Sequence, residues 1–357
     1  MNETVLVAMS GGVDSSAAAC MLLQQGYTCI GATMALCSQK LLGENRDITT
    51  HIADAKKVAD TLGIPFHILD ATDLFNEKVV DNFVHCYESG LTPNPCVQCN
   101  RHLKFSHLVK KALEMGCNYV ATGHYARIKR DPISGRYLLY KAADQTKDQS
   151  YFLYCLDQDQ LSHVLFPLGE LTKEQARQLA EKAKLLNAQK RDSQDICFIP
   201  DGDYAAFLRR YTGKDYPSGD FLDLSGKKVG NHSGCVDYTL GQRKGLGLAM
   251  GSPVYVCAKD MANNTVTVGP NEALFANSLL ANDWNWFPFE ALREPLRVSA
   301  KARSRHEPQP ATVYPDSHDN CKVVFDQPQR ALTPGQAIVL YDGDLVIGGG
   351  TITTVLP

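Results

Sequence analysis

Residues 10–16 are Ser10-Gly11-Gly12-Val13-Asp14-Ser15-Ser16, and they decide the fold of the first part of the chain. An apolar run at residues 4–9 precedes them and predicts a strand, and residues 17–23 predict a helix that ends at Gly26. The two glycines permit positive φ angles and let an anion approach the backbone closely. The free N–H groups and the positive dipole end of the helix point into the same space. The stretch therefore predicts a phosphate-binding loop.

Two common phosphate loops are excluded, because residues 10–16 contain neither the Gly-Lys-Ser/Thr of a Walker loop nor the third glycine of a dinucleotide-binding loop. The pattern SGGxDS resembles the pyrophosphate loop of the N-type ATP pyrophosphatases, which split ATP between its α and β phosphates and transfer AMP to a carbonyl oxygen. The resemblance implies that the serines donate to phosphate oxygens and that Asp14 helps to hold Mg²⁺, a cation that prefers oxygen ligands. A glycine turn with Asp and Ser as helix caps is the alternative. The order of strand, loop and helix favours the nucleotide site.

Strands and helices alternate beyond this loop. Residues 27–34 and 66–70 predict strands on either side of a helix at 51–62, and residues 118–122 predict a further strand. This alternation predicts an α/β fold with a doubly wound parallel sheet, which binds ligands at the carboxyl ends of its strands. The predicted ATP site consists of the loop and two residues at other strand ends: Ala8, Met9, Ser10, Gly11, Gly12, Val13, Asp14, Ser15, Ser16, Met34 and Gly123.

The bulk properties are those of a folded protein with two or three domains: 357 residues, 44% hydrophobic and 21% charged. No apolar run approaches the roughly 18 residues that span a bilayer and no export signal is evident, so we expect a cytoplasmic monomer without membrane contact. Its twelve cysteines are expected to be reduced thiols. A net charge of −3 argues against a sequence-independent nucleic-acid coat but permits a local basic face.

Three domains are expected: a pyrophosphatase domain at residues 1–200, a small central domain at 201–276 and a C-terminal β-barrel at 277–357. Within the first, residues 89–100 contain two prolines and a glycine and predict an irregular loop, followed by a helix at 105–115. Residues 127–141 predict a hairpin.

Cys96 and Cys99 form a CxxC pair, which by itself fits half a zinc site, a redox pair or coincidence. The sequence contains no second CxxC, so structural zinc is the weaker interpretation.

Six stretches together resemble the tRNA-specific 2-thiouridylase family (MnmA/TrmU) across nearly the whole chain. They are residues 10–16, Asn94-Pro95-Cys96-Val97-Gln98-Cys99-Asn100 with Lys104-Phe105, residues 121–125, residues 147–153, Asp192-Ser193-Gln194-Asp195-Ile196-Cys197-Phe198-Ile199, and residues 239–245. The resemblance implies that ATP adenylates the 2-carbonyl oxygen of the wobble uridine of a tRNA. It also implies that sulfur arrives as a persulfide on Cys197, that Cys99 frees it or assists its transfer, and that a Cys99–Cys197 disulfide remains for a reductant to reset.

The same resemblance implies contacts with the anticodon stem-loop of tRNA and a sulfur-relay protein or cysteine desulfurase as donor. The implied contacts are Asn94, Pro95, Cys96, His124, Lys147, Asp148, Gln149, Arg303, Ser304 and Gln336. Many family members carry Asp at the position of Cys96, and this chain departs from that version of the motif. The role implied for Cys96 is a contact with the uridine base. In the β-rich end, Lys301, Arg303 and Arg305 alternate and are predicted to share one strand face toward phosphates, with a merely solvated face as the alternative.

Three alternatives stay open. Cys96, Cys99 and Cys197 could hold an iron–sulfur cluster with an open iron that carries sulfide, since thiolates are the usual cluster ligands. A small-molecule amide ligase would use the same ATP loop but needs a glutaminase partner and no paired cysteines. A nucleotide-dependent RNA-binding protein with decayed catalysis is disfavoured by the presence of Asp14, Cys99 and Cys197.

Overall fold

A computed structural model of the chain describes residues 3–38, 41, 50–185, 187, 196–316 and 319–356. In the first part the strands are β1 (Thr4–Ala8), β2 (Thr28–Ala35), β3 (Phe66–Asp70), β4 (Tyr119–Ala121), β5 (Arg127–Arg130), β6 (Tyr137–Tyr140) and β7 (Val164–Leu165). The α-helices are α1 (Val13–Gln24), α2 (Thr50–Leu62), α3 (Thr72–Phe75), α4 (Asp81–Glu88), α5 (Pro95–Cys99), α6 (Leu108–Glu114), α7 (Ser150–Leu153), α8 (Gln158–Ser162) and α9 (Lys173–Lys182). No helix in these ranges is long and apolar enough to cross a membrane.

Five of these strands form one parallel sheet in the order β3-β2-β1-β4-β7. The central strand, β1, is apolar because both faces are covered, and Val5, Leu6 and Val7 are completely buried. The predicted doubly wound α/β fold is therefore confirmed. Parallel strands end at one edge of a sheet, so the ends of β1, β2 and β4 lie side by side and define the place where a ligand binds.

The segment that carries the CxxC pair differs from the prediction. Helix α5 begins at Pro95, and a π-helical segment (Asn100–His107) joins it to α6. The expected irregular loop at residues 89–100 is thus wrong from Pro95 onward. Proline is tolerated in the first turn of a helix, because the N–H that it lacks has no partner there. A second π-helical segment (Asn76–Val80) joins α3 to α4.

The rest of the chain is mainly β-structure. It contains helix α10 (Tyr204–Thr212) and a four-stranded sheet of order β10-β11-β8-β9, made of β8 (Gly219–Leu222), β9 (Lys228–His232), β10 (Tyr255–Asp260) and β11 (Thr265–Gly269). Short 3₁₀ segments occur at Pro167–Glu170, Cys235–Asp237 and Asn271–Leu274.

The predicted C-terminal barrel is confirmed. Its strands are β12 (Phe275–Trp286), β13 (Leu296–Lys301), β14 (Gln309–Pro315), β15 (Cys321–Arg330), β16 (Ala337–Asp342) and β17 (Leu345–Leu356). They pair in the ring β12-β15-β14-β13-β16-β17, and β17 returns to β12. Closure leaves no unpaired edge on the ring. Its interior is a separate apolar core that includes Leu279, Val313, Val323 and Ile338.

The barrel is joined to the first part of the chain. The predicted hairpin forms as β5 and β6, and Tyr140 of β6 pairs with Leu345 of β17. Arg136, in the turn of this hairpin, donates to the carbonyl oxygens of Phe287 (2.6 Å) and Trp286 (3.0 Å). These contacts fix the barrel against the parallel-sheet region. Side chains of the barrel can therefore hold parts of the chain that lie beside the sheet.

Candidate active site

The glycine loop between β1 and α1 has the strained backbone that its sequence predicts, but at one glycine only. Gly11 has φ +70°, whereas Gly12 has φ −93° and is extended. A Cβ atom at Gly11 would lie 2.7 Å from the carbonyl oxygen of His51, so no other residue fits there without a shift. A Cβ atom at Gly123 would lie 2.6 Å from the backbone of Asp14 and Ser15. The end of β4 therefore packs directly against the loop.

The hydroxyl groups of the loop face in two directions. The hydroxyl oxygens of Ser10 and Ser15 lie 3.3 Å apart at the open side of the loop. Ser16 is completely buried and donates to the carbonyl oxygen of Gly12 at 2.9 Å. Asn187, which the sequence analysis did not select, donates to the carbonyl oxygens of Gly11 and Gly12 and to the hydroxyl of Ser16. Ser16 and Asn187 thus support the loop from beneath, while Ser10 and Ser15 are placed to meet a ligand.

Asp14, the one carboxylate of the loop, is held by two residues that the sequence analysis did not select. Lys173, the first residue of α9, donates to both carboxylate oxygens at 2.7 and 2.8 Å. The hydroxyl of Tyr125 donates to the same carboxylate at 2.8 Å. The capping box Thr-Lys-Glu-Gln predicts where α9 begins. It does not predict that Lys173 points at the glycine loop.

A cavity of about 740 Å³ opens at this edge of the sheet. It is lined by seven residues of the predicted ATP site, namely Ala8, Met9, Ser10, Asp14, Ser15, Met34 and Gly123. Lys104, His124, Gln149, Cys37 and Cys197 line it as well. The structure therefore places one candidate catalytic cysteine in the same cavity as the glycine loop.

Cys99 lies at the end of α5, and the barrel holds the segment on both sides of this helix. Ahead of it, Gln336 donates to the carbonyl oxygens of Thr92 (3.0 Å) and Pro93 (2.9 Å). Behind it, Arg101 forms an ion pair with Asp283 of β12 at 2.5 Å. The thiol of Cys99 is consequently fixed in place, with only 7% of the residue exposed.

Cys197 is exposed, and its neighbours anchor it. Phe198 is buried with its ring 5.6 Å from that of Phe75 and 5.3 Å from that of Phe83. Phe198 and Cys99 belong to one apolar cluster, so the two candidate cysteines, far apart in the sequence, are brought to the same place. Of the motif that contains Cys197, residues 192–195 lie outside the described residues.

The thiols influence one another. Desolvation by the surrounding protein raises the pKa of Cys197, and its neighbours Cys99, Cys37 and Cys96 raise it further. Burial likewise raises the pKa of Cys99, and the nearby Lys104 opposes this shift. Lys104 also lowers the pKa of Cys96 and Cys197. A cation beside a thiol favours the thiolate, which is the nucleophilic form.

Lys104 is the only lysine or arginine among the described residues that line the cavity. Desolvation, assisted by the charge of Lys104, places the pKa of His124 well below its usual range, so the imidazole is neutral at pH 7. His124 shares a hydrogen bond of 2.7 Å with Thr122.

Several expected tRNA contacts have internal hydrogen bonds. Asp148 accepts from the backbone N–H of Ala142 at 3.0 Å and from the hydroxyl of Ser150 at 2.7 Å. Gln149 accepts from the backbone N–H of Tyr125 at 2.9 Å while it lines the cavity. Together with Gln336, these residues shape the site whether or not they also meet RNA. Cys96 and Lys147 are less enclosed, and Asn94 and Pro95 lie at the start of α5.

The predicted strand face of Lys301, Arg303 and Arg305 is wrong. Strand β13 ends at Lys301, so the later residues do not continue its alternation. Arg303 turns inward and donates to the carbonyl oxygens of Leu240 (3.3 Å) and Ala331 (2.9 Å). Arg305 is exposed and Ser304 lies between the two. Of Arg303 and Arg305, only Arg305 is exposed and available to a phosphate.

The donor set at the loop fits a magnesium ion, since Asp14 and the nearby serine hydroxyls are oxygen ligands of the kind that Mg²⁺ prefers. For a metal cluster the geometry differs. In the part of the chain that the structure describes, no three His, Cys, Asp or Glu side chains converge in an arrangement that could hold a metal ion. Cys96, Cys99 and Cys197 therefore do not form a preassembled set of three ligands.

Comparison with known proteins decides the family. The tRNA-specific 2-thiouridylase MnmA of Clostridioides difficile (strain 630) is 47% identical over 355 residues, which cover 99% of this chain and 98% of that protein. The chain belongs to the tRNA-specific 2-thiouridylase family. The proteins of the same name from Carboxydothermus hydrogenoformans (48% identical, 98% of this chain and 97% of the relative) and Acetivibrio thermocellus (47%, 98% and 99%) agree. The resemblance seen in the sequence is thereby confirmed.

Three family models match this 2-thiouridylase family member in succession. A tRNA methyl transferase HUP domain matches residues 3–201, a tRNA methyl transferase PRC-barrel domain residues 205–270, and an aminomethyltransferase beta-barrel domain residues 276–352. Among solved structures, the U34-tRNA thiolase NcsA from Methanococcus maripaludis with its 4Fe–4S cluster is 19% identical, with a TM-score of 0.35, and covers 59% of this chain and 71% of that one. A similarity of that degree is too weak to bear on the chemistry of this chain.

Proposed function

We propose that this protein is an ATP-dependent tRNA 2-thiouridylase that adenylates the 2-carbonyl oxygen of the wobble uridine and replaces it with sulfur carried by Cys197. The observation that supports this most directly is the shared cavity, in which the glycine loop and Cys197 line one space. An enzyme that activates an oxygen with ATP and then displaces it with sulfur needs both groups within reach of one atom.

The loop would bind the pyrophosphate half of ATP. Ser10 and Ser15 are placed to donate to phosphate oxygens, and the start of α1 supplies N–H groups and a positive dipole end. Asp14 would hold Mg²⁺, which neutralises phosphate charge when bound, and Lys173 would then be released toward the departing pyrophosphate. The uridine oxygen attacks the α-phosphate, pyrophosphate leaves, and the oxygen becomes part of an AMP ester that departs readily.

Sulfur transfer would use both cysteines. Cys197 carries a persulfide, Cys197–S–S⁻, received from a relay protein or a cysteine desulfurase. In one order, the Cys99 thiolate attacks Cys197 Sγ and releases hydrosulfide, which attacks the uridine C2 and expels AMP. In the other, the terminal persulfide sulfur attacks C2 first, AMP leaves, and Cys99 then attacks Cys197 Sγ to release the 2-thiouridine. Both orders end in a Cys99–Cys197 disulfide, and Lys104 is placed to favour the thiolate.

We favour the persulfide route over an iron–sulfur cluster on Cys96, Cys99 and Cys197. The basis is that these residues make no three-ligand arrangement in the described part of the chain and that Cys99 is enclosed in an apolar cluster. Anaerobic purification with an iron assay and an optical spectrum distinguishes the two. An active, colourless, iron-free protein supports the persulfide route, and an iron-dependent activity contradicts it.

The full function is tested by incubating the protein with ATP, Mg²⁺, a persulfide donor and unmodified tRNA, followed by nucleoside analysis. We expect 2-thiouridine, AMP and pyrophosphate. Cys99→Ser and Cys197→Ser should abolish 2-thiouridine while pyrophosphate release persists, and Cys86→Ser, at a partly buried cysteine away from the cavity lining, serves as the matched control. Thiolation that survives in either active-site variant contradicts the roles of these cysteines, and an absence of 2-thiouridine with the natural sequence contradicts the function itself.

A further inference from the structure

A third cysteine, Cys37, lies beside the two that the proposed function uses. It follows the end of β2 and lines the cavity together with Cys197. Its partly buried side chain packs against the apolar cluster that contains Cys99 and Phe198. Cys37 and Cys99 are near enough for each to influence the ionisation of Cys197. No local pattern marks Cys37 as a site residue, since only the fold brings it to this cluster.

The three thiols differ in their access to solvent. Cys99 is buried, Cys37 is intermediate and Cys197 is exposed. In a Cys99–Cys197 disulfide one sulfur would lie inside the protein, and the rate of disulfide reduction depends on access to the sulfur that is attacked. In a Cys37–Cys197 disulfide both residues would line the open cavity. Moving the bond from Cys99 to Cys37 would therefore expose it to a soluble reductant.

We propose that Cys37 exchanges with the Cys99–Cys197 disulfide and carries it to the cavity wall for reduction, an inference that rests on the proposed function. The Cys37 thiolate attacks Cys197 Sγ, the Cys37–Cys197 bond forms and the Cys99–Cys197 bond breaks. Cys99 leaves as a thiolate and takes up the proton that Cys37 has lost. The exchange consumes no oxidant. A soluble dithiol then supplies two electrons and two protons, becomes a disulfide itself and restores both thiols.

The charges around the cluster suit this direction of exchange. Burial raises the pKa of Cys99, and the positive charge of Lys104 opposes that rise, which improves Cys99 as a leaving group. Burial raises the pKa of Cys37 to about 11, so its thiolate is scarce at neutral pH but strongly nucleophilic once formed. Lys104 thus assists the departure of Cys99.

The first experiment maps disulfides in the full-length protein. The reduced chain is treated with one equivalent of diamide, alkylated, digested without reductant and analysed by mass spectrometry. We expect linked peptides for both Cys99–Cys197 and Cys37–Cys197 with the natural sequence, Cys37–Cys197 alone in Cys99→Ser, and Cys99–Cys197 alone in Cys37→Ser. Detection of Cys99–Cys197 with no Cys37 pairing in any variant would overturn the exchange while leaving the relay intact. Absence of Cys99–Cys197 throughout would overturn the relay, and the exchange with it.

The second experiment measures how fast dithiothreitol reduces the preformed disulfide. The rate in Cys37→Ser should be about tenfold below that of the natural sequence, because a reductant can then attack only Cys197 Sγ, in a bond whose other sulfur is buried, and no Cys37 sulfur on the cavity wall is available. Cys86→Ser is the control, since Cys86 is partly buried but does not line the cavity. Equal rates in all three proteins would overturn the proposal, and a loss confined to Cys37→Ser supports it.

Discussion

Lys173 Nζ lies 2.7 and 2.8 Å from the two carboxylate oxygens of Asp14, which joins the start of helix α9 to the glycine loop. Both side chains are partly enclosed, with 14% of the lysine and 31% of the aspartate side chain exposed. The pair lies at the cavity, since Asp14 lines it. The ammonium group of Lys173 is thereby held next to the place proposed for pyrophosphate.

Replacing Lys173 by Met should lower the rate of AMP formation by about 100-fold, because a preorganised cation at a developing negative charge contributes on that scale. Asp14→Asn should show a loss of similar size, and the double variant should lose little more than the worse single one, since the residues act as a unit. AMP and pyrophosphate release report the rate. Lys182→Met, at the exposed end of the same helix, is the control. A rate within twofold of the natural sequence in Lys173→Met would contradict the assignment.

Removing the charge of Lys104 should shift the pH dependence of sulfur transfer upward. Lys104 lowers the pKa of Cys99 and Cys197, whose values burial raises, so thiolation should increase with pH in the natural protein. In Lys104→Met those pKa values rise further and the ascending limb moves to higher pH. At pH 7.5, on the ascending limb, the rate in Lys104→Met should therefore be about tenfold lower than with the natural sequence.

Lys104→Arg keeps the positive charge. In this variant the rate should therefore rise over nearly the same pH range as with the natural sequence. Single-turnover formation of 2-thiouridine at a series of pH values provides the measurement. An identical pH profile in Lys104→Met and the natural sequence would show that the cation does not act on the thiols.

Arg303 and Arg305 should behave differently, although the sequence suggested one shared role. Arg303→Ala removes hydrogen bonds to Leu240 and Ala331, so it should lower the melting temperature by about 3 °C or more. Arg305→Ala should leave the melting temperature unchanged, weaken tRNA binding and reduce the salt slope of log K by about one. Thermal melts and tRNA titrations at several salt concentrations separate the two effects. Equal loss of stability in both variants would contradict this distinction.

Lys259 makes the folded protein less stable near neutral pH. Its Nζ is buried and has no hydrogen-bond partner among the described residues, and it lies 5.9 Å from the centre of the Tyr87 ring. Desolvation lowers its pKa to about 8, from an ordinary value of 10.5. The folded state therefore binds this proton less tightly than the unfolded state does. The resulting cost is about 3 kcal/mol below pH 8 and disappears as the pH rises from 8 to 10.5.

Lys259→Met should accordingly raise the free energy of unfolding at pH 7, and the gain should shrink as the pH approaches 10.5. Urea unfolding at pH 7, 8.5 and 10 gives the comparison. Lys244→Met, at an exposed lysine of the same region, should show no such gain. A gain that is constant with pH would mean that packing, and not the buried charge, limits stability.

Local pattern was a good guide wherever the decisive interactions are near in sequence. The strand, loop and helix around Gly11, the parallel sheet and the barrel all follow from apolar periodicity and from turn residues. The predictions were wrong where the same residue pattern is compatible with two local structures. Pro95 starts a helix although proline usually interrupts one, and β13 stops at Lys301 although the alternation of charges continues.

By itself, the sequence determined the phosphate loop, the order of strands and helices, the two candidate cysteines and the family that they resemble, because each of these depends on short-range spacing or on a run of neighbouring residues. Only the tertiary structure decided that Lys173 and Tyr125 hold Asp14, that Gln336 holds the backbone ahead of Cys99, and that Cys37 joins the thiol cluster. The physical reason is that these contacts join residues far apart in the chain. Their distances are set by how the sheet, the helices and the barrel pack together, and no local pattern records that packing.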